Sequence, residues 1–279
     1  MNIHTALLQG QKLFEQSKIS APRLTAEVLL AHAIGCERVW LYAHPEEDLR
    51  ELWWIHYGRY LHERLQGKPT QYITGHAEFF GRDFHVSPDV LIPRPETEHT
   101  IEAALELAAG AKRILDIGTG SGAIAITLAL ETGTPTAATD ISEAAVRMAK
   151  ANAQRLGAAV EFVTCDLGSA LRDGTFDLIV SNPPYVPEVR ATSLQREVRD
   201  YEPHIALFGG PDGLDVYRRL IPDALRLLQP GGRLILEIGW LEAGEIGAML
   251  APWEAVETRS DLAGIPRVMS AVKPATARQ

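Results

Sequence analysis

Cysteine is nearly absent. Among 279 residues there are two, Cys36 and Cys165, far apart and each without a second cysteine nearby. That excludes a disulfide framework and a cysteine-based zinc cluster, and leaves two buried thiols as the expectation. Long apolar runs are also missing. No stretch of about 18 apolar residues occurs, and residues 1–10 lack the basic start and apolar run of a secretory signal, so a soluble, cytoplasmic protein with no membrane partner is expected. The nine histidines show no ligand spacing, so no metal is expected, and no Ser, His and Asp grouping is visible. An excess of positive charge is lacking too. Net charge is −9, and residues 1–75 hold eight basic and eight acidic side chains, leaving 19 against 28 for the rest. Binding through nucleic-acid phosphates is driven by counterion release and ordinarily needs a basic patch, so no direct nucleic-acid partner is expected. No internal repeat or low-complexity tract interrupts the chain.

What is present suits two domains. Residues 1–75 carry apolar side chains near helical spacing (Ala6, Leu7, Leu13, Phe14, then Leu24, Val28, Leu29, Leu30, Ile34) and read as a small all-helical domain. The aromatic run Trp53, Trp54, Tyr57, Tyr60 reads as part of its core. Residues 76–95 contain Phe79-Phe80-Gly81-Arg82-Asp83-Phe84, which predicts a β-hairpin linker. From residue 96 to 279, strands and helices alternate. Strands are predicted at 113–117, 136–139, 160–164, 176–180 and 234–238, helices at 96–109, 122–130, 144–156 and 216–228, and a closing antiparallel pair at 255–260 and 267–272. Such alternation predicts an α/β, Rossmann-like domain with a parallel sheet covered on both faces.

Two motifs carry chemistry. Asp116-Ile117-Gly118-Thr119-Gly120-Ser121-Gly122 lies between the first strand of that domain and its helix. Glycines there permit a sharp turn and close approach of a ligand to the main chain, and the helix start offers N–H groups to a carboxylate or phosphate. Asp140 ends the second strand, where a carboxylate can accept ribose hydroxyls. Asp166 or Leu167, just past the third strand, lies where an adenine would be held. The spacing G-x-G-x-G differs from the dinucleotide fingerprint G-x-G-x-x-G and resembles the S-adenosylmethionine loop of class I methyltransferases.

The second motif, Asn182-Pro183-Pro184-Tyr185, follows the apolar run 176–180. Two prolines remove two backbone donors and fix φ, which makes a stiff turn. The Asn182 side-chain carbonyl and the Pro183 main-chain carbonyl are two acceptors suited to a planar NH2 group, and Tyr185 supplies an aromatic face. Together the motifs suggest methyl transfer to a nitrogen. Positioning and electrostatics would carry the catalysis, with Asn182, Pro183 and Tyr185 as the catalytic group and Asn182 also touching the cofactor.

At this point a resemblance enters. PTQYITG (69–75), LIPRPETE (91–98), LDIGTGSGAIAI (115–126), DLIVSNPPY (177–185), YEP (201–203) and GGPDGLDVYRRL (209–220) resemble the bacterial release-factor glutamine methyltransferases, the PrmC/HemK family, over nearly the whole chain. The resemblance implies a class I methyltransferase domain behind a helical substrate-recognition domain. It implies transfer from S-adenosylmethionine, giving S-adenosylhomocysteine, to the side-chain amide of the Gln in the Gly-Gly-Gln motif of class 1 peptide chain release factors. Gly118 to Gly122, Asp140 and Leu167 are then expected to hold the cofactor, and Asn182 to Tyr185 the glutamine. The chain departs from the family pattern at Ile265-Pro266-Arg267, where an acidic or amide residue is expected, and at Leu167, a position that can be aromatic. The rival substrate is an exocyclic base amine of nucleic acid, which shares the NPPY chemistry but usually needs a basic groove or a recognition domain. A cofactor-binding protein without catalysis and a dehydrogenase rank below both.

Overall fold

A computed structural model of the chain describes residues 1–275; the polar tail expected at the end lies, from residue 276, outside the described residues. The chain divides into two compact units, one of Met1–His76 with Gln195–Tyr201, the other of Ala77–Leu194 with the chain from Glu202 onward.

The first unit is helical: α1 (Ile3–Gln16), α2 (Pro22–Ile34), α3 (Arg38–Ala43), α4 (Glu51–Leu65) and α5 (Thr70–Thr74). Asn2 caps α1 by accepting the Thr5 N–H at 2.9 Å, and α2 has Pro22 in its first turn and the left-handed Gly35 at its end, the usual asymmetry of helix ends. Ile3, Phe14, Leu29, Leu30, Leu41 and Tyr57 make the core. Of the aromatic run, Tyr57 and Tyr60 are buried, whereas Trp54 is 37% exposed. The inward face of α4 is thus set by positions 57, 60, 61 and 64. Arg64 also faces inward and pairs with Glu197 at 2.5 Å, and the Tyr201 hydroxyl donates to the Gln66 carbonyl at 3.2 Å.

The second unit begins with a hairpin, β1 (His76–Phe79) and β2 (Arg82–His85). Its turn has positive φ at Phe80 and Gly81, and its N–H groups are satisfied by the carboxylates of Glu98 at 2.9 Å and Glu78 at 2.7 Å. A short 3-10 turn (Pro95–Thr97) leads into α6 (Glu98–Leu107). Then follow β3 (Ile114–Ile117), α7 (Ala123–Thr132), β4 (Thr136–Asp140), α8 (Glu143–Leu156), β5 (Val160–Thr164) and β6 (Phe176–Ser181), and next in the chain comes α9 (Arg196–Tyr201), which belongs to the first unit. The chain closes with α10 (Asp215–Leu227), β7 (Leu228–Glu237), α11 (Ala243–Met249), β8 (Glu254–Ser260) and β9 (Pro266–Val272). The expected α/β class is observed: a seven-stranded sheet ordered β5-β4-β3-β6-β7-β9-β8, parallel from β5 to β7 with β9 antiparallel to both neighbours. Alternate residues of each strand serve opposite faces. Leu115, Ile117, Ile179, Leu234 and Leu236 pack beneath α10 and α11, whereas Ile114, Leu178, Val180 and Ile235 pack with α6 and α7.

The structure differs from expectation in three respects. β7 starts at Leu228 rather than 234, because Phe176 pairs with Leu228 across an irregularity. The short helices α5, α9 and α11 went unread, since 5 to 7 residues show too few turns for a period. Cys36 and Cys165 are half-buried rather than buried. Among the described residues no helix is long and apolar enough to cross a membrane.

Strand order reverses between β3 and β6: β4 and β5 extend the sheet to one side of β3, and β6 lies on the other. At such a switch point a crevice opens beyond the carboxyl ends of the strands. Register brings the ends level, with Ile117 beside both Thr139 and Ser181. Gly118, Asp140 and Asn182, each the residue after one of these, therefore meet at one edge.

Candidate active site

A cavity of about 290 Å³ occupies this crevice, lined among others by Gly118, Gly120, Asp140, Asp166, Leu167, Asn182, Pro183 and Pro184. Ile205 and Ala206 and, from α10, Val216, Arg219 and Leu220 complete its wall. The structure thus gathers eight of the residues singled out from the sequence. Thr119, Ser121, Gly122 and Tyr185 lie outside the lining. Thr119 is buried, and its hydroxyl turns inward to the Asp116 carboxylate at 2.7 Å. Ser121 is buried and offers its carbonyl to Asn152 at 2.9 Å.

The Gly-rich turn is built from below. Asp116 on β3 is fully buried and accepts from Thr119 and from the Ala125 N–H at 3.2 Å; burial pushes its carboxyl up to about 7 against those two hydrogen bonds. Asn152 of α8 donates to the carbonyls of Ser121 and His85 and accepts the His85 N–H, each at 2.9 Å, tying the turn to β2. Gly122 cannot be replaced simply: its φ is +86°, and a Cβ there would meet Ile126 at 2.7 Å and Ala149 at 3.1 Å, so α7 and α8 approach each other through the missing side chain.

Asp140 carries a carboxylate at the cavity wall. One oxygen accepts the Gly120 N–H and the other the Ser142 N–H, both at 2.9 Å. Burial raises its pKa, and those backbone donors oppose the shift. Each oxygen keeps a lone pair for a further donor. Asp166 pairs with Arg219, and Leu167, with φ of 49°, packs against the apolar core as well as lining the cavity. These groups fit a nucleoside: a carboxylate for ribose hydroxyls, main chain within reach, and an apolar wall.

At the end of β6 the Ser181 hydroxyl donates to the Ile117 carbonyl at 2.6 Å, fixing the strand end beside the Gly-rich turn. Asn182 Nδ2 donates to the Thr97 hydroxyl at 3.1 Å, which leaves its carbonyl oxygen for another partner. Tyr185 is half-buried against the core beneath α10. Burial and then Glu237 push its hydroxyl up to about 12, so it is neutral and no base.

Three comparisons bear on this arrangement. Residues 5–75 match the PrmC N-terminal domain family and residues 101–198 the Methyltransferase small domain family. The release factor glutamine methyltransferase of Koribacter versatilis is 48% identical over 278 residues, covering 98% of this chain and 99% of its own. That of Clostridium acetobutylicum is 37% identical and covers 98% and 99%. This chain belongs to the release factor glutamine methyltransferase family. It is an enzyme, and its α/β unit has the class I methyltransferase fold. The fold is shared with a Thermus thermophilus 16S rRNA N2 G1207 methyltransferase solved with AdoMet and guanosine (TM-score 0.54, 22% identity, 71% of this chain and 49% of that one). It is also shared with a methyltransferase from Pyrococcus furiosus (TM-score 0.53, 22% identity, 70% and 91%).

In this glutamine methyltransferase family member, three of the stretches that carried the resemblance, LIPRPETE, YEP and GGPDGLD, converge on the Asn182–Tyr185 turn. Arg94 of LIPRPETE pairs with the buried Glu202 of YEP, and Thr97 of the same stretch holds Asn182. The GGPDGLD stretch buttresses the turn: Val186 and Gly209 exchange main-chain bonds with Leu207 and Val186 at 2.9 and 3.0 Å. A Cβ on Gly209 would meet the Pro184 carbonyl at 2.6 Å, and one on Gly213 the Tyr185 carbonyl at 2.4 Å. Sequence reasoning gave no role of their own to Thr97, Asp116, Asn152 and Glu237. The one available signal was Glu237, a charge inside the apolar run Leu234 to Ile238.

Proposed function

We propose that this enzyme methylates the side-chain amide nitrogen (N5) of the Gln in the Gly-Gly-Gln motif of class 1 peptide chain release factors, using S-adenosylmethionine. The observation that carries this reading is that Asn182 shares one cavity with Gly118, Gly120 and Asp140, while its amide NH2 is engaged by Thr97. Its carbonyl, with that of Pro183, is then available to an incoming NH2.

Gly118, Gly120, Asp140, Asp166 and Leu167 would hold the cofactor, Asp140 through the ribose hydroxyls. When bound, S-adenosylmethionine supplies an electrophilic methyl group and leaves as S-adenosylhomocysteine. The chain's part is to aim the acceptor. An amide nitrogen is a poor nucleophile because its lone pair is delocalised. Asn182 and Pro183 hold both N–H bonds, which orients that nitrogen and stabilises the positive charge that develops on it. No strong base is needed, since the proton leaves once the nitrogen is alkylated. The helical unit would grip the release factor, and its exposed Val39, Tyr42, Leu52 and Ile55 give it apolar surface to do so. Residues 76–95 link it to the methyltransferase domain, residues 96–279.

The test is mass spectrometry of a purified release factor incubated with the enzyme and S-adenosylmethionine, beside a factor with Ala for the motif Gln. One methyl on the Gln peptide, absent from the Ala control, is expected. Asn182→Ala is expected to lower the rate by at least about 100-fold while leaving calorimetric cofactor affinity within a few fold. Cofactor binding without methylation of any release-factor glutamine would overturn the reading and turn attention to base amines.

A further inference from the structure

Asn182 is a near-symmetric side chain: reversing its amide exchanges an acceptor for a donor at nearly the same shape. An acceptor NH2 tolerates only one of the two orientations, and the residues behind Asn182 decide which. Thr97 and Glu237 are 4% and 3% exposed. Asn182 Nδ2 donates to Thr97 Oγ1 at 3.1 Å. A hydroxyl has one proton, so Thr97, having accepted from Asn182, must send its own elsewhere. The Glu237 carboxyl is the acceptor within reach: the side chains of Thr97 and of Asn182 both act on it as donors, which favours its ionised form.

We propose that Glu237, acting through Thr97, fixes the Asn182 amide with its carbonyl toward the methyl acceptor, which makes Thr97 and Glu237 positioning residues of the transfer. This rests on the reading of Asn182 given above. A carboxylate can only accept, so ionised Glu237 forces Thr97 to donate to it and to accept from Asn182. A protonated Glu237 can donate to Thr97 instead. The Thr97 proton then turns to the Asn182 carbonyl, the amide reverses, and an NH2 group faces the acceptor's NH2.

Glu237 Oε2 is buried without a hydrogen-bond partner among the described residues, so the charged form of this carboxyl depends on the few groups that face it. The groups around Glu237 are set for a balance. Glu96, from the 3-10 turn, disfavours its charge and Arg267, from β9, favours it, while burial is the largest influence and lifts it to about 7. Tyr185 and Tyr217 also face it, the latter donating to the Glu237 main-chain carbonyl at 2.7 Å. Both phenols stay neutral. Arg94 and Glu242 act on those phenols.

The experiment compares full-length wild type, Glu237→Gln, Thr97→Val and Thr97→Ser. It measures kcat and KM for release factor at saturating cofactor between about pH 6 and 9, with cofactor affinity by calorimetry. The Asn182 side-chain NH2 signal is followed by NMR in the same range. Wild type is expected to lose kcat as pH falls through about 7, with the NH2 signal shifting over the same range. Glu237→Gln and Thr97→Val are expected to lose about 10- to 100-fold in kcat and to show neither inflection, with cofactor affinity within about threefold. Thr97→Ser, which keeps the hydroxyl, should retain both. Wild-type kcat and pH profile in Thr97→Val, or Thr97→Ser as impaired as Thr97→Val, would overturn the proposal. If wild type methylates no release factor, the substrate assignment falls, and the NMR titration still decides the relay: an NH2 signal unmoved by pH, or moved equally in Thr97→Val, overturns it.

Discussion

Asp140 illustrates how one side chain serves two ends. Its oxygens each hold a backbone N–H, of Gly120 and of Ser142, and it lines the cavity. Asp140→Ala therefore removes the proposed ribose acceptor and a brace of the Gly-rich turn together. Cofactor affinity is expected to fall by roughly 10- to 100-fold, about 1 to 3 kcal/mol, the scale of a charge-assisted hydrogen bond. Asp140→Asn, which keeps one acceptor oxygen, should lose less. Calorimetry with S-adenosylmethionine checks both, and unchanged affinity in Asp140→Ala would remove the assignment. At this scale Asp140 and Asn182 were legible because each follows an apolar run that could be read as a strand. The role of Thr97 was not, because a buried hydroxyl has no signature in its own neighbourhood and its partner is 85 residues away; Asp116 was read at the head of the Gly-rich stretch, but not as the buried brace of the turn.

Among the elements, the Asn182–Tyr185 turn depends on another loop. Two prolines stiffen it, but the 207–213 segment places it, by main-chain bonds to Val186 and by glycines that admit the Pro184 and Tyr185 carbonyls. Gly213 has φ of +83°, and a Cβ there would lie 2.4 Å from the Tyr185 carbonyl. Gly213→Ala is expected to cost about 1 to 2 kcal/mol of stability. It should also lower kcat by roughly 10-fold or more, with cofactor affinity little changed, because a shift of about 1 Å in an aiming group is costly. Steady-state kinetics beside calorimetry separate these effects, and equal loss in both would point to general unfolding of the site. The strand and helix series of this unit was legible from its alternation. The packing of one loop on another was not, since glycine in a sequence announces a turn without naming what approaches it.

For the molecule as a whole, the same carboxylates that shape the site affect stability. Glu237 is raised from 4.5 to about 7 by burial, so the native state binds its proton more tightly than the unfolded chain does. Its contribution is present in full below about pH 4.5 and is lost as pH rises through about 7, on the order of 3 kcal/mol in all. Thermal unfolding of Glu237→Gln against wild type should therefore move in the variant's favour by a few degrees between about pH 5 and 8. A constant difference would mean that Glu237 does not titrate there. On the proposed reading, the charge that costs stability near neutrality is the one that orients Asn182. The sequence by itself determined the α/β class, the helical character of residues 1–75, the Gly-rich turn and the Asn-Pro-Pro-Tyr turn, because periodicity, glycine and proline act within a few residues. Tertiary structure alone decided that segment 195–201 joins the helical unit, that Arg94 meets Glu202, and that Thr97 and Glu237 lie behind Asn182. Such pairings are set by strand order and packing, and strand order arises from the burial of whole elements, which no local spacing records.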